Sequence, residues 1–229
     1  MSIAFCFNCN RMKKINGLSK ARVDKLENDP AGEFRIRIIP DYLKPGETIW
    51  AVVSTLDAGN NRGSFFMPEI GDDVIVGFVN GDPAQPVVLG MLHSKNKPTP
   101  ITPKDVNHEK GFTTRSKLHI TFKDDTNTIS IDTPAGNSII IDESGSKIEI
   151  VDQNNNKITM DTTGIRIKSP NSVNIDSANH ITLNATGDLT LKANRIFSKS
   201  SANTKLEGAG MELQSSASLS IKGSVVNIN

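Results

Sequence analysis

Two cysteines and four histidines are the side chains of this chain best suited to metal or nucleophilic chemistry. Cys6 and Cys9 form one Cys-x-x-Cys, the spacing of half a zinc site or of a redox pair. No second pair and no suitably spaced histidine follows, which favours two reduced cysteines in a leader segment. The histidines are scattered without ligand or triad spacing, at His93, His108, His119 and His180. The sequence therefore predicts neither a metal nor a cofactor.

Aspartates recur in the second half of the chain, where paired carboxylates could cleave a glycan and repeated ones could bind calcium. They fall at Asp132, Asp142, Asp152 and Asp161, each closely followed by Gly or Asn. Short polar side chains that hydrogen-bond their own backbone explain such positions as turns. Glycan sites rely on exposed aromatic side chains, and beyond Phe122 only Phe197 remains. We therefore predict no enzymatic activity, with a β-helical tailspike that binds or cleaves surface glycan as the alternative.

Charge and hydropathy argue against several partners. The formal net charge is +1 and no region concentrates positive charge, which argues against nucleic acid as a partner. No apolar stretch approaches the length of a membrane span. The opening segment has no basic residue ahead of its apolar run, unlike a signal peptide. We expect the protein to be made and assembled in the cytoplasm.

Pairs of aliphatic residues separated by a single residue recur along the second half of the chain, with polar turns between them. Because strand side chains alternate between faces, both members of a pair point the same way and give each short strand one dry face. Repetition at a short interval predicts a solenoid whose units cover this face only by stacking. The predicted core positions are Ile129, Ile131, Ile139, Ile141, Ile148, Ile150, Ile158, Met160, Ile165, Ile167, Val173, Ile175, Ile181, Leu183, Leu189 and Leu191.

The spacing of these pairs predicts three copies of the chain. The interval is nine or ten residues from Leu118 to Lys168 and about eight from Ser169 onward. A single-chain β-helix needs longer coils, whereas three chains that each supply one face of a triangular prism would bury the aliphatics on a common axis. Strand edges would then be paired, which removes sites of aggregation. We therefore predict a homotrimer in which residues 116–229 form an elongated, intertwined triple-stranded β-helix.

Residues 21–95 carry a different pattern, that of a small antiparallel β domain. In Phe34-Arg35-Ile36-Arg37-Ile38 the apolar and polar positions alternate, as a strand with one buried face requires. Five such strands separated by Gly, Pro, Asn and Asp turns suit a closed barrel of the OB type. The predicted strands are Ala21–Leu26, Glu33–Ile39, Ile49–Leu56, Asp73–Val79 and Pro86–Leu92.

The remaining segments flank this barrel. Residues 96–115 begin with several prolines, which fix φ and predict a stiff connector rather than a strand. Residues 1–20 are expected to be a leader that is poorly ordered or contacts a hub. The overall expectation is an all-β chain.

Four motifs of the barrel segment are specific: Phe34-Arg35-Ile36-Arg37-Ile38, Trp50-Ala51-Val52-Val53, the run from Arg62 to Phe78, and Asn80-Gly81-Asp82-Pro83 through Gly90. They resemble the OB domain of the valine-glycine-repeat (VgrG) and phage baseplate spike family. The repeats that follow resemble the triple-stranded β-helix of the same family. The large hub domains that precede the barrel in that family are missing from this sequence, so we expect either a longer protein or a separate hub.

The resemblance implies the central spike of a contractile injection system, which is a type VI secretion system, a phage tail or a phage-tail-like particle. Such a spike punctures a target envelope mechanically and is delivered outside the cell. The resemblance also implies hub, baseplate and tube proteins at the N-terminal end. At the C-terminal end it implies a PAAR-like tip protein, which we expect on the apolar residues Val226 and Ile228.

Overall fold

The computed structural model describes residues 14–227, whose regular elements are fourteen strands and one 3₁₀ turn, Val79–Gly81. None of these described residues forms a helix long and apolar enough to cross a membrane. The chain divides into two units, the first ending at Val173 and the second beginning at Asn174. The leader cysteines Cys6 and Cys9 and the predicted tip residue Ile228 lie outside the described range.

The first part of the chain is a closed barrel. Its strands are β1 (Ser19–Lys25), β2 (Ile36–Pro40), β3 (Ile49–Val53), β4 (Ala58–Gly59), β5 (Arg62–Gly63), β6 (Asp73–Phe78) and β7 (Pro86–Met91). Five of them close in the order β1-β2-β3-β7-β6, and β4 and β5 form a small separate hairpin. The pair β3 and β7 is parallel, and the other barrel pairs are antiparallel. This arrangement confirms the predicted OB-type barrel.

The barrel buries its core within one chain. Strand positions alternate between the interior and the surface, so that Ile36 and Ile38 are 0% exposed while Arg37 lies between them on the outside. Each such buried side chain contributes about 1.5–3 kcal/mol. The fully buried hydrophobic residues are Ala21, Val23, Ile36, Ile38, Ala51, Val74, Val76 and Val88.

Phe34 departs from the predicted alternation. It was predicted to share the buried face of Ile36 and Ile38, but it precedes β2, has a φ of 58° and is 90% exposed. The cause is the loop before it, where the Asp29 carboxylate accepts hydrogen bonds from the backbone N–H groups of Glu33 and Arg35. These bonds fix the chain in a turn and direct the Phe34 ring outward.

A seven-stranded antiparallel meander follows the barrel. Its strands are β8 (Glu109–Thr113), β9 (His119–Lys123), β10 (Thr128–Asp132), β11 (Ser138–Asp142), β12 (Lys147–Val151), β13 (Lys157–Asp161) and β14 (Gly164–Lys168). Each strand pairs with its neighbour in sequence. The sheet therefore begins at Glu109, inside the stretch expected to be a connector. Gly111 permits this extra strand, because a Cβ there would lie 2.2 Å from the carbonyl oxygen of Ile120 on β9.

The second unit, described from residue 174 to residue 227, has no assigned strand. It bends at residues 178–179, 186–187, 194, 201–202, 209, 216–217 and 224, an interval of seven or eight residues. Three of the bends share a pattern at Ser177, Ser200 and Ser215, where the serine hydroxyl accepts an N–H two residues later and donates to a carbonyl three residues later. Within these described residues no backbone group hydrogen-bonds to another backbone group of the chain.

Candidate functional site

The meander gathers the predicted core residues of its strands onto one face. Cross-strand partners point to the same side of a sheet, and Ile129 pairs with Ile141 while Ile139 pairs with Ile150. The same register continues strand by strand and produces two parallel columns. One column is Ile120, Ile131, Ile139, Ile150, Ile158 and Ile167, and the other is Phe122, Ile129, Ile141, Ile148, Met160 and Ile165. We call these twelve residues the isoleucine face.

The isoleucine face is uncovered in the single chain. Eleven of the twelve residues are between 36% (Met160) and 74% (Ile165) exposed, and Ile158 is half-buried. The Glu149 side chain, which points to the opposite face of the sheet, is only 14% exposed. The usual relation between polarity and burial is thus inverted. A contiguous exposed apolar surface of this kind is typical of a site of association.

The opposite face of the sheet is polar and internally paired. The Glu149 carboxylate lies 2.6 Å from the Lys157 amine and 3.4 Å from that of Lys147. The hydrogen bond from Lys157 holds the pKa of Glu149 below its usual value, against the opposing effect of burial. These charges are paired within the chain, whereas the isoleucine face is uncovered.

Three of the four aspartates that could have formed a catalytic or calcium site, Asp142, Asp152 and Asp161, accept hydrogen bonds within turns, and Asp132 lies 3.5 Å from His119. Asp152 accepts hydrogen bonds from the backbone of Asn154 and Asn156 and from the Asn156 side chain, which lower its pKa. Asp161 is held in the same way by Thr163, with its pKa lowered. Within residues 14–227 no three His, Cys, Asp or Glu side chains gather into a group that could hold a metal.

Two contacts join the barrel to the first strands of the sheet. The Phe66 ring stacks on Phe112 of β8 with ring centroids 5.4 Å apart, and the Arg115 guanidinium lies 3.0 Å from the Glu69 carboxylate. Phe112 pairs with Ile120, so it extends one column of the isoleucine face toward the barrel. The apolar surface therefore continues from the sheet to the barrel.

The sequence prediction did not include the end of the isoleucine face that lies nearest the barrel. Ile120 and Phe122 follow the same spacing as the later pairs and could have been included, whereas Phe112 stands beside Gly111 and Lys110 and carries no such signal. Val173 and the predicted core residues of the second unit are 54–69% exposed and are not brought together within the chain. They are Ile175, Ile181, Leu183, Leu189 and Leu191. Val226, expected to contact a tip protein, is 47% exposed.

Comparison with known proteins identifies the barrel. Residues 19–93 match the family described as the type VI secretion system/phage-baseplate injector OB domain. The chain is 33% identical over 76 residues to the type VI secretion system spike protein VgrG1a of Pseudomonas aeruginosa, covering 33% of this chain and 12% of that protein. It is 34% identical over 70 residues to the spike protein VgrG3 of Vibrio cholerae, covering 31% of this chain and 7% of that protein.

A third relative is the actin cross-linking toxin VgrG1 of Vibrio cholerae, 34% identical over 95 residues, or 40% of this chain and 8% of that protein. The chain thus matches about a tenth of the length of each of these curated relatives, in the region of the barrel. The closed five-stranded barrel and this sequence similarity both indicate an OB domain. The barrel of this chain is therefore similar to the injector OB domain of type VI secretion systems and phage baseplates, and the proteins it resembles include VgrG spike proteins.

Proposed function

We propose that this chain is the central spike of a contractile injection system and that three copies form its needle. The observation that carries the proposal is the isoleucine face, which is apolar along its whole length and open in the single chain. A spike needs no active site. It has to be narrow, stiff and resistant to unfolding, and a shaft filled with interlocked aliphatic side chains has these properties.

Three copies suit both units of the chain. In the first unit, three sheets can place their isoleucine faces toward one axis and keep the polar faces with Glu149 in water. In the second unit, successive bends are seven or eight residues apart, so three consecutive segments between bends span 22 or 23 residues. A single-chain solenoid would hydrogen-bond residues at that separation, and such bonds are absent from the described residues after 174. Sister chains would supply the missing partners, because backbone groups of a packed core require them.

The two ends of the chain have separate tasks in this proposal. The barrel, which carries the similarity to baseplate and VgrG proteins, would connect the needle to hub, baseplate and tube proteins. The far end would bind a PAAR-like tip protein through Val226 and Ile228. The assembled particle would be delivered outside the cell, where sheath contraction drives the needle through the target envelope.

We propose a structural rather than an enzymatic role for the described part of the chain. Three aspartates of the sheet, Asp142, Asp152 and Asp161, accept hydrogen bonds within turns. The histidines are dispersed along the sequence, and His119 lies 3.5 Å from Asp132.

Sedimentation equilibrium of the full chain tests the assembly. We expect a single species of three 24.8 kDa chains that resists protease and detergent. A folded monomer at micromolar concentration would contradict the proposal. For the tip, a PAAR-repeat protein should co-elute with the trimer, and Val226→Asp should abolish this binding. Lys222→Gln serves as the matched surface control. Val173→Asp is unsuitable for this purpose because Val173 lies in the predicted core.

A further inference from the structure

The outer surface of the barrel has two chemically different sides. The side formed by β1 and β2 carries Lys20, Arg22 and Arg37, and Arg37 forms an ion pair with Asp24. The side formed by β3, β7 and β6 carries apolar residues at its outward positions. We call these residues the apolar barrel side: Trp50, Val52, Val87 and Leu89.

The residues of the apolar barrel side are contiguous. Val52 pairs with Val87 across the parallel strands β3 and β7. Leu89 lies over Gly77 of β6, where a Cβ would come within 3.1 Å of the Leu89 Cδ1 atom. Val52 and Leu89 are each 49% exposed, and Val87 lies between them on the same surface. The barrel thus presents a second open apolar surface.

This surface runs into the isoleucine face. Val52 borders a groove of about 600 Å³ that is also lined by Phe34, Phe65 and Phe66. Phe34 and Phe65 are 90% and 82% exposed. Phe66 in turn stacks on Phe112, which heads a column of the isoleucine face. A partner that covers the barrel end of the isoleucine face would therefore lie next to the apolar barrel side.

We propose that the apolar barrel side packs against a second copy of this chain, an inference that rests on the proposed trimer. Continuity with the isoleucine face is the first reason. The second is position. Phe34 and Phe66 lie at the end of the barrel that faces the sheet, whereas Ile15 donates a hydrogen bond to the Gly81 carbonyl at the opposite end. A hub that joins the N-terminal end would approach from that opposite end.

Trp50, the only tryptophan of the sequence, is a reporter for this contact because it belongs to the apolar barrel side, at its border with Arg37, whose guanidinium carbon lies 6.0 Å from the ring centroid. In the wild-type trimer we expect acrylamide to quench Trp50 weakly. Leu89→Glu should raise the quenching constant toward that of the urea-unfolded chain and shift the emission to the red, while the needle keeps the chains trimeric. Ile39→Glu is the matched control, since Ile39 is outward on the charged side opposite Arg22, and it should leave the quenching unchanged.

Phe34→Asn keeps the test decisive if Leu89→Glu does not fold. A bulky residue at a φ of 58° is strained, and asparagine tolerates this conformation. If Phe34 has no partner, the substitution should stabilise the barrel and leave Trp50 unchanged. If a second copy covers Phe34, the substitution should increase quenching and lower the melting temperature of the trimer.

The possible outcomes separate this inference from the proposed function. A wild-type trimer whose Trp50 is already quenched as in the unfolded chain overturns the inference alone and leaves the surface to a different protein. Unchanged quenching in Leu89→Glu, or in Phe34→Asn if Leu89→Glu does not fold, overturns it as well. A folded wild-type monomer overturns the proposed function and this inference together.

Discussion

The barrel and the meander are built from similar strands, yet only the barrel buries its own apolar face. Both alternate aliphatic and polar residues, as Ile36-Arg37-Ile38 and Ile148-Glu149-Ile150 illustrate. The barrel strands carry irregularities, between Val23 and Lys25 and between Ile75 and Val76, where the register shifts. Bulges bend and twist strands and so allow closure.

The pairings of the meander contain no such shift, and its strands stay in continuous register from Glu109 to Lys168. This sheet has no bulge and remains open, so its apolar face is exposed in the single chain. The position of a few irregular residues thus helps to decide whether a β domain covers its own apolar face.

Ile150→Asp should have the largest effect, because it attacks the part of the chain that depends on partners. Three carboxylates would be buried close together in the proposed shaft, at a cost on the order of several kcal/mol per charge. We expect loss of the protease-resistant trimer, measured by sedimentation and limited proteolysis. Protease-resistant trimers of this variant would show that Ile150 does not face the shaft.

Glu149→Gln is the matched control on the other face of the same strand. It removes the ion pairs with Lys157 and Lys147, which are worth about 0.2–1 kcal/mol at a partly exposed position. The trimer should persist with a slightly lower melting temperature.

Ile38→Ala should weaken the self-sufficient part of the chain. Ile38 is 0% exposed, and truncation of such a side chain costs about 2–5 kcal/mol. The barrel transition in calorimetry should move to lower temperature independently of protein concentration, while the needle transition stays in place. A concentration-dependent shift of the barrel transition would indicate that the barrel core also depends on assembly.

Acidification should affect the barrel through Asp29. The Arg35 guanidinium, 2.8 Å from the Asp29 carboxylate, and the bonds from nearby N–H groups hold the pKa of Asp29 well below its usual value. Because the folded state has the lower pKa, this stabilisation is complete above the unfolded value of about 3.9 and is lost as the pH falls through the folded value.

We therefore expect the melting temperature of the barrel to fall below about pH 4. In Asp29→Asn the melting temperature should be lower at neutral pH and should depend less on pH in this range, as calorimetry at several pH values would measure. An equal acid dependence in both proteins would assign the effect to other carboxylates.

Ser215→Ala should have the smallest effect. It removes the two bend hydrogen bonds of Ser215, from the Ala217 N–H and to the Ser218 carbonyl, at a cost of less than about 1 kcal/mol per chain. Thermal melting of the trimer should detect a small decrease, and Ser216→Ala, in the same bend, is the comparison. Loss of assembly on this change would mean that the bend hydrogen bonds determine the chain path.

The barrel could be predicted from local signals, because alternating residues such as those of β2 and turn residues such as Gly71-Asp72 act within a few positions. The outward turn of Phe34 could not, since it depends on side-chain bonds from Asp29. The strand β8 was also missed, because it is stabilised by pairing with β9 rather than by an aliphatic pair of its own.

The two-column arrangement of the isoleucine face follows from the period of two in the sequence and the in-register pairing of neighbouring strands. In the second unit the pattern of aliphatic pairs is weak around Ser198 and Thr204. The sequence alone does not show which positions of the pattern these two polar residues occupy. The bends at residues 194, 201–202 and 209 continue in phase through this stretch, so these two residues occupy the positions that aliphatics hold elsewhere.

The local pairing of the meander has a consequence for biosynthesis. Every strand from β8 to β14 finds its partner in the adjacent hairpin, so the sheet can form as each hairpin emerges from the ribosome. Residues 175–227 have no backbone hydrogen-bonding partner of this kind within the described chain. In a three-chain spike these residues would fold last, after three chains have associated, and winding would proceed away from the folded sheet. This order would prevent nascent chains from becoming intertwined before their sheets have formed.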